Sequence, residues 1–116
     1  MEVGFPQSGI KSVAPSALTG AVTILHTGGF TWAKFSGDLT GAVSGVTLAT
    51  GSISAPGDND ILVMEIPNDL TARAVTCTAT HFAKANVVQG IASKTVIATF
   101  IAKGGLFYLQ SVATQT

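Results

Sequence analysis

Hydrophobic and polar residues alternate along most of this chain with a period of two. The strongest example is residues 94–102, KTVIATFIA, in which Val96, Ala98, Phe100 and Ala102 share one face. A period of two places successive side chains on opposite faces of a β-strand. Because no segment shows helical spacing, the pattern predicts an all-β domain.

Read in the same way, the rest of the chain predicts about eight short strands, separated by turns rich in Gly, Pro, Asn and Asp. They are residues 21–26, 30–35, one or two within 39–54, then 61–66, 72–80, 87–89, 94–102 and 106–112. Gly-Gly turns at 27–29 and 103–105 predict two hairpins. The expected fold is a single antiparallel β-sandwich or jelly roll.

Residues 1–20 differ from the remainder, since they contain Pro6, Pro15 and three glycines. We expect an extended N-terminal arm over 1–20 and one β-sandwich domain over 21–116. The arm carries apolar side chains that are candidates for binding a partner or the domain itself. These are Val3, Phe5, Ile10 and Val13.

Charge is scarce in this sequence. Charged residues make up 10% of the chain, against about 25% in an average soluble domain. Six basic and six acidic residues give a net charge of zero, which argues against a nucleic-acid partner. Little charge also means little repulsion between copies, so we expect an oligomer.

The mean hydropathy of +0.49 is high, yet no apolar run approaches the roughly 18 residues that span a bilayer. The first residues lack the pattern of a secretory signal. We therefore expect a protein without a membrane partner that is made in the cytoplasm.

No motif points to catalysis, a cofactor or a metal. His26 and His81 lack metal-ligand spacing, and we expect both at the surface. The single cysteine, Cys77, lies on an alternating strand and is interpreted as a small buried hydrophobe. The sequence predicts a protein that is not an enzyme.

Two other groups have alternative interpretations. The cluster Asp58, Asn59 and Asp60 is typical of a solvated turn, and a hard cation such as calcium is the alternative. Trp32 and Tyr108 are candidates for core packing or for stacking on a sugar.

Residues 66–80, IPNDLTARAVTCTAT, begin with a proline and a turn and then predict a strand over 72–80 with almost no charge on either face. Thr76, Thr78 and Thr80 fall on one side, where a solitary sandwich normally carries charge. Small side chains allow another subunit to approach closely. We therefore expect these threonines at a subunit interface, in a homotrimer.

Residues 49–112 resemble the knob or head domains of bacteriophage virion proteins. The resemblance rests on the segment 66–73, IPNDLTAR, on the Thr-rich strand that follows, and on a final hairpin with Lys103-Gly104-Gly105 at its tip. Ala74 stands where that pattern has a proline.

The resemblance implies a virion protein whose trimers stabilise a capsid through apolar contacts, that is, a capsid decoration or cement protein. Its partners would be copies of itself and the major capsid protein or another virion protein. One alternative is the receptor- or glycan-binding head of a tail fibre or adhesin, with Trp32 and Tyr108 on the sugar. A small coat protein is a weaker alternative.

Overall fold

A computed structural model describes residues 10–83 and 86–115, so the arm residues Val3 and Phe5 lie outside the described part of the chain. Within those ranges the chain forms nine strands and no helix. The strands are β1 Ile10–Val13, β2 Gly20–Ile24, β3 Phe30–Lys34, β4 Val43–Leu48, β5 Ile61–Pro67, β6 Ala74–Cys77, β7 Val87–Gln89, β8 Thr95–Lys103 and β9 Leu106–Gln115.

The strands form two mixed sheets, not a single antiparallel sandwich. The larger sheet has the order β1-β3-β5-β8-β9, and the smaller has the order β2-β4-β6-β7. Four neighbouring pairs are parallel: β1–β3, β3–β5, β2–β4 and β4–β6. The predicted all-antiparallel jelly roll is therefore wrong. Consecutive strands from β1 to β6 alternate between the sheets, so strands that become neighbours run in the same direction.

The two Gly-Gly turns have different roles. Lys103 pairs with Leu106 across Gly104-Gly105, so the predicted hairpin β8–β9 is confirmed. The turn at 27–29 joins β2 of the smaller sheet to β3 of the larger, so the hairpin predicted there is wrong. Glycine permits the left-handed backbone of both turns, and Gly28 and Gly104 have φ of 110° and 63°. A Gly-Gly pair can therefore form either a crossing between two sheets or a hairpin within one sheet.

The core lies between the two sheets and contains buried side chains from both. Phe82 is fully buried, with its ring edge-on to Phe100 at 5.1 Å and tilted against Phe107 at 5.6 Å. Cys77 is also fully buried, and burial raises the pKa of its thiol to about 12. This confirms the interpretation of Cys77 as a small core residue, because the reactive thiolate is suppressed.

Part of the predicted arm belongs to the larger sheet. Ile10–Val13 form β1, which runs parallel to β3 with Ile10 opposite Phe30. Val13 packs against the core together with Ala17 and Leu18. The side chain of Val13 therefore contacts its own domain.

A tight corner joins β5 to β6 across the two sheets. Asn68 is buried, and its Oδ1 accepts a hydrogen bond from the Arg73 amide at 2.8 Å. The Gly90 amide donates to the Arg73 carbonyl at 3.1 Å. A Cβ at position 90 would press on that carbonyl and lie 2.6 Å from Asn68 Oδ1. Only glycine fits at position 90 without moving the backbone.

Gly90→Ala is therefore expected to destabilise the protein by about 2 kcal/mol or more, as overpacking against fixed backbone does. The matched control is Gly37→Ala, because a Cβ there would make only an ordinary contact of 3.8 Å with Leu18. Equilibrium urea unfolding measures both variants. Equal stabilities for the two variants would contradict the close approach described for this corner.

Candidate functional site

The side of the larger sheet that faces away from the core is mainly apolar. Register places Phe30, Ile61, Ile101 and Tyr108 in one row across four strands. We call this surface the outer face. Its large apolar members are mostly half-buried, with Val63 only 5% exposed and Tyr108 the most exposed at 44%. They are Ile10, Phe30, Trp32, Ile61, Val63, Ile97, Ile101 and Tyr108. A sheet with one solvated face normally alternates apolar residues inward and polar residues outward. The outer face does not follow that rule.

Charge is confined to the margins of the outer face. Among the described residues of the larger sheet, the alternation places Lys34, Glu65 and Lys103 on this side. Lys34 and Glu65 are register partners near one end of β3 and β5, and Lys103 adjoins the β8–β9 turn. The centre of the face therefore offers a partner an uncharged surface with both signs of charge at its edge.

The aromatic side chains on β3 have fixed positions. Trp32 and Phe30 stack with centroids 6.3 Å apart and an interplanar angle of 15°. Trp32 Nε1 donates to Glu65 Oε2 at 2.6 Å. Because Nε1 already has a hydrogen-bond partner within the subunit, another protein can cover the Trp32 ring without supplying a hydrogen-bond acceptor.

Trp32 and Tyr108, the two candidates for sugar contact, share the outer face but are not adjacent. Two strands, β5 and β8, separate β3 from β9. Three interstrand spacings of about 4.8 Å place the two strands roughly 14 Å apart. One sugar ring cannot contact both side chains. Tyr108 is 44% exposed and borders a shallow depression of about 390 Å³ shared with Ile101 and Gln110.

The three threonines predicted at an interface do not form a row. Thr76 is half-buried on β6, but β6 ends at Cys77 and not at residue 80 as predicted. The Thr78 hydroxyl donates to the Val46 carbonyl at 2.9 Å within the smaller sheet. Thr80 lies in an exposed turn. Thr76 alone is held on a strand.

The acidic cluster at 58–60 secures loops by hydrogen bonds. Asp60 accepts from the amides of Gly57 at 2.9 Å and Gly29 at 3.1 Å, and Asp58 accepts from the Gly104 amide at 2.9 Å. In residues 10–83 and 86–115 no group of three or more His, Cys, Asp or Glu side chains could hold a metal ion. The geometry favours the turn interpretation over a cation site.

His26 is buried, so its predicted surface position is wrong. The side chain has no exposed area, and its ring lies edge-on to Phe107 at 5.1 Å. Nδ1 lies 2.7 Å from Thr31 Oγ1, and Nε2 lies 3.0 Å from Asp60 Oδ2. Sequence spacing gave no signal for this contact, because residue 60 is 34 positions from residue 26.

Burial of Asp60 acts to raise the pKa of its carboxyl group, and hydrogen bonds oppose that effect. The donors are the His26 ring and the amides of Gly57 and Gly29, and electrostatic attraction by the His26 ring adds to them. Together they outweigh burial, so the pKa lies below its ordinary value of 3.8. Asp60 is therefore ionised at neutral pH and stabilises the crossing between β2 and β3.

Comparison with family models, with curated proteins and with solved structures gives no match. In the described ranges no helix could span a membrane. The function of the chain must therefore be argued from its own residues.

Asp60→Asn is expected to lower the free energy of unfolding at pH 7 by about 1–3 kcal/mol, because at least one charge-assisted hydrogen bond is lost. The pKa of Asp60 is depressed in the fold. Its ionised form therefore stabilises fully above the ordinary value of 3.8, and this stabilisation is lost as pH falls through the lower folded value.

The difference between wild type and Asp60→Asn should accordingly shrink when urea unfolding is repeated at about pH 3. Asp38→Asn serves as the control, since Asp38 is exposed. A difference of the same size at both pH values would show that the charge of Asp60 has no part in the stability of the fold.

Proposed function

We propose that this chain is a structural protein that works by self-association, and that the outer face is buried against a second copy. The proposal is carried by one observation: large apolar side chains occupy the centre of a sheet face whose few charges lie at its margins. Large contiguous apolar surfaces on soluble proteins mark protein–protein interaction sites.

The charges at the margin of the outer face suit contact between like copies. Lys34 and Glu65 are neighbours of opposite sign on adjacent strands. When two copies meet around a two-fold axis near this pair, each lysine can approach the partner's glutamate. A margin carrying a single sign of charge would instead repel its copy.

The size of the outer face limits what it contributes. Five strands at about 4.8 Å spacing, with some five paired residues each at about 3.3 Å, give on the order of 400 Å². A standard interface buries about 800 Å² on each partner. The outer face supplies roughly half of that area, so a stable assembly of this chain needs a further contact.

We propose a bacteriophage virion as the setting, with the chain acting as a capsid decoration protein that also contacts a shell protein. Support comes from the resemblance carried by residues 66–73 and by the hairpin at 103–105. The trimer was expected for a jelly-roll subunit, and the chain does not form a jelly roll. We therefore propose self-association without a particular number of copies.

A glycan-binding head is less well supported. Sugar sites are concave and place a few polar groups around an aromatic side chain. The stacked pair Phe30 and Trp32 lies on a sheet face where Glu65 is already bonded to Trp32 Nε1, and Tyr108 lies three strands away. Binding to a glycan array that is lost in Trp32→Ala would favour this alternative over self-association.

Ile101→Lys tests the role of the outer face. The substitution places a charge between Ile61 and Tyr108 in the apolar row, where desolvating it on contact is costly, so we expect at least a tenfold weaker association, or about 1.4 kcal/mol. Light scattering at micromolar concentration measures the mass against the 11.7 kDa of one chain.

The control for this experiment is Thr50→Lys, an exposed position in the turn that follows β4. Circular dichroism confirms that both variants are folded. If wild type, Ile101→Lys and Thr50→Lys all have the mass of a single chain, self-association is refuted. If all three assemble equally, the outer face is not the contact.

A further inference from the structure

The two sheets have four edge strands, and three of them are protected against pairing with another chain. Within the described residues β7 has three residues and β1 has four, which leaves little edge to pair. Lys11 on β1 also directs its Nζ to Thr27 Oγ1 at 2.9 Å. On β2, Ser16 covers the edge: its amide donates to the Thr23 carbonyl, and its Oγ accepts from the Thr23 amide.

The fourth edge, β9, is protected along only one half. At Phe107 the carbonyl accepts from the Ala83 amide at 2.8 Å, and the amide donates to the His81 carbonyl at 2.9 Å. Beyond this point no described segment of the chain bonds to the outer side of β9. All six residues from Gln110 to Gln115 are exposed, and none of them is charged or proline.

This open half is a regular strand. The register of β8 and β9 shifts between Thr99 and Phe100, which leaves Gln110 as an extra residue. From Ser111 to Gln115 the pairing with β8 is uninterrupted. Its outward-facing amides and carbonyls are therefore spaced as a further strand requires.

We propose that the open half of β9, residues 110–115, pairs antiparallel with the same segment of a second copy around a two-fold axis. A second copy suits this edge because the segment carries no charge, so identical residues meet without repulsion. Val112 also supports a second copy as the partner of this edge. Val112 pairs with the buried Ala98 and so lies on the core side of the larger sheet, yet it is 49% exposed because the smaller sheet does not cover it. A second copy paired to this edge would bring its own apolar side chains beside Val112.

This contact goes beyond the outer-face contact proposed above, since it uses the edge of the sheet and not its face. Two five-stranded sheets joined through β9 become one sheet of ten strands. A two-fold axis perpendicular to that sheet keeps both outer faces on the same side. The joined pair therefore presents twice the apolar area of one subunit.

The symmetry makes a sharp prediction. Residues that pair across strands have side chains on the same face of the sheet. A symmetric antiparallel pair must therefore place one residue directly opposite its own copy. The Cα atoms of opposite residues are about 4.5–5.5 Å apart, within the range of about 4.4–6.8 Å that a disulfide bridges.

The experiment replaces each residue from Gln110 to Gln115 in turn by cysteine. Wild-type protein is the blank, because Cys77 is buried and the pKa of its thiol is raised to about 12. Thr50→Cys is the control for random collision of exposed thiols. After mild oxidation at micromolar concentration, a non-reducing gel measures the covalent dimer.

We expect one position to give on the order of tenfold more covalent dimer than Thr50→Cys, because pairing raises the effective concentration of that thiol. Val112→Lys should also weaken association, since a lysine on an edge strand opposes pairing. No position above the control, with association unchanged in Val112→Lys, would overturn the edge contact. If the wild-type protein nevertheless assembles, the proposed function stands; if it has the mass of one chain throughout, both fail.

Discussion

The core is buried between two sheets by a chain that crosses from one sheet to the other at every connection between β1 and β6. Each crossing places the next strand in the opposite layer, so strands pair with partners two elements away. This produces the parallel pairs of both sheets and makes the core residues depend on distant parts of the chain. Only β6–β7 and β8–β9 pair with their neighbours in sequence.

The crossings also account for where the few charges are. Four of the six acidic side chains form hydrogen bonds within the described chain: Asp58, Asp60, Glu65 and Asp69. Asp58 and Asp60 hold loops, and Asp69 bonds the Thr71 amide and pairs with Arg73 at the β5–β6 corner. Charge held in these loops does not cover the sheet faces, and of the four only Glu65 lies on a strand, at the margin of the outer face. The apolar outer face and the open edge of β9 are the surfaces left without such cover.

The sequence predicted individual strands better than it predicted their partners. The alternation at 94–102 locates β8, and 61–66 and 87–89 locate β5 and β7, because local periodicity reports the burial of alternate side chains. The Gly-Gly pair at 28–29 predicts a turn but does not indicate which sheet the chain enters next. The alternation in β8 places Ile97 and Ile101 on the opposite face of the strand from Phe100. That this face is turned away from the core follows only from the strand order. The sequence instead predicted an interface at Thr76, Thr78 and Thr80, because their neighbours in sequence lack charge.

A domain with so little charge on its sheets is expected to be stable in solution when it contacts copies of itself. Sedimentation velocity of the wild-type chain over a range of micromolar concentrations, at low and high salt, is the decisive measurement. We expect a multiple of 11.7 kDa that persists at high salt, because the proposed contacts are apolar surface and backbone hydrogen bonds. A well-behaved species of 11.7 kDa at every concentration would contradict it.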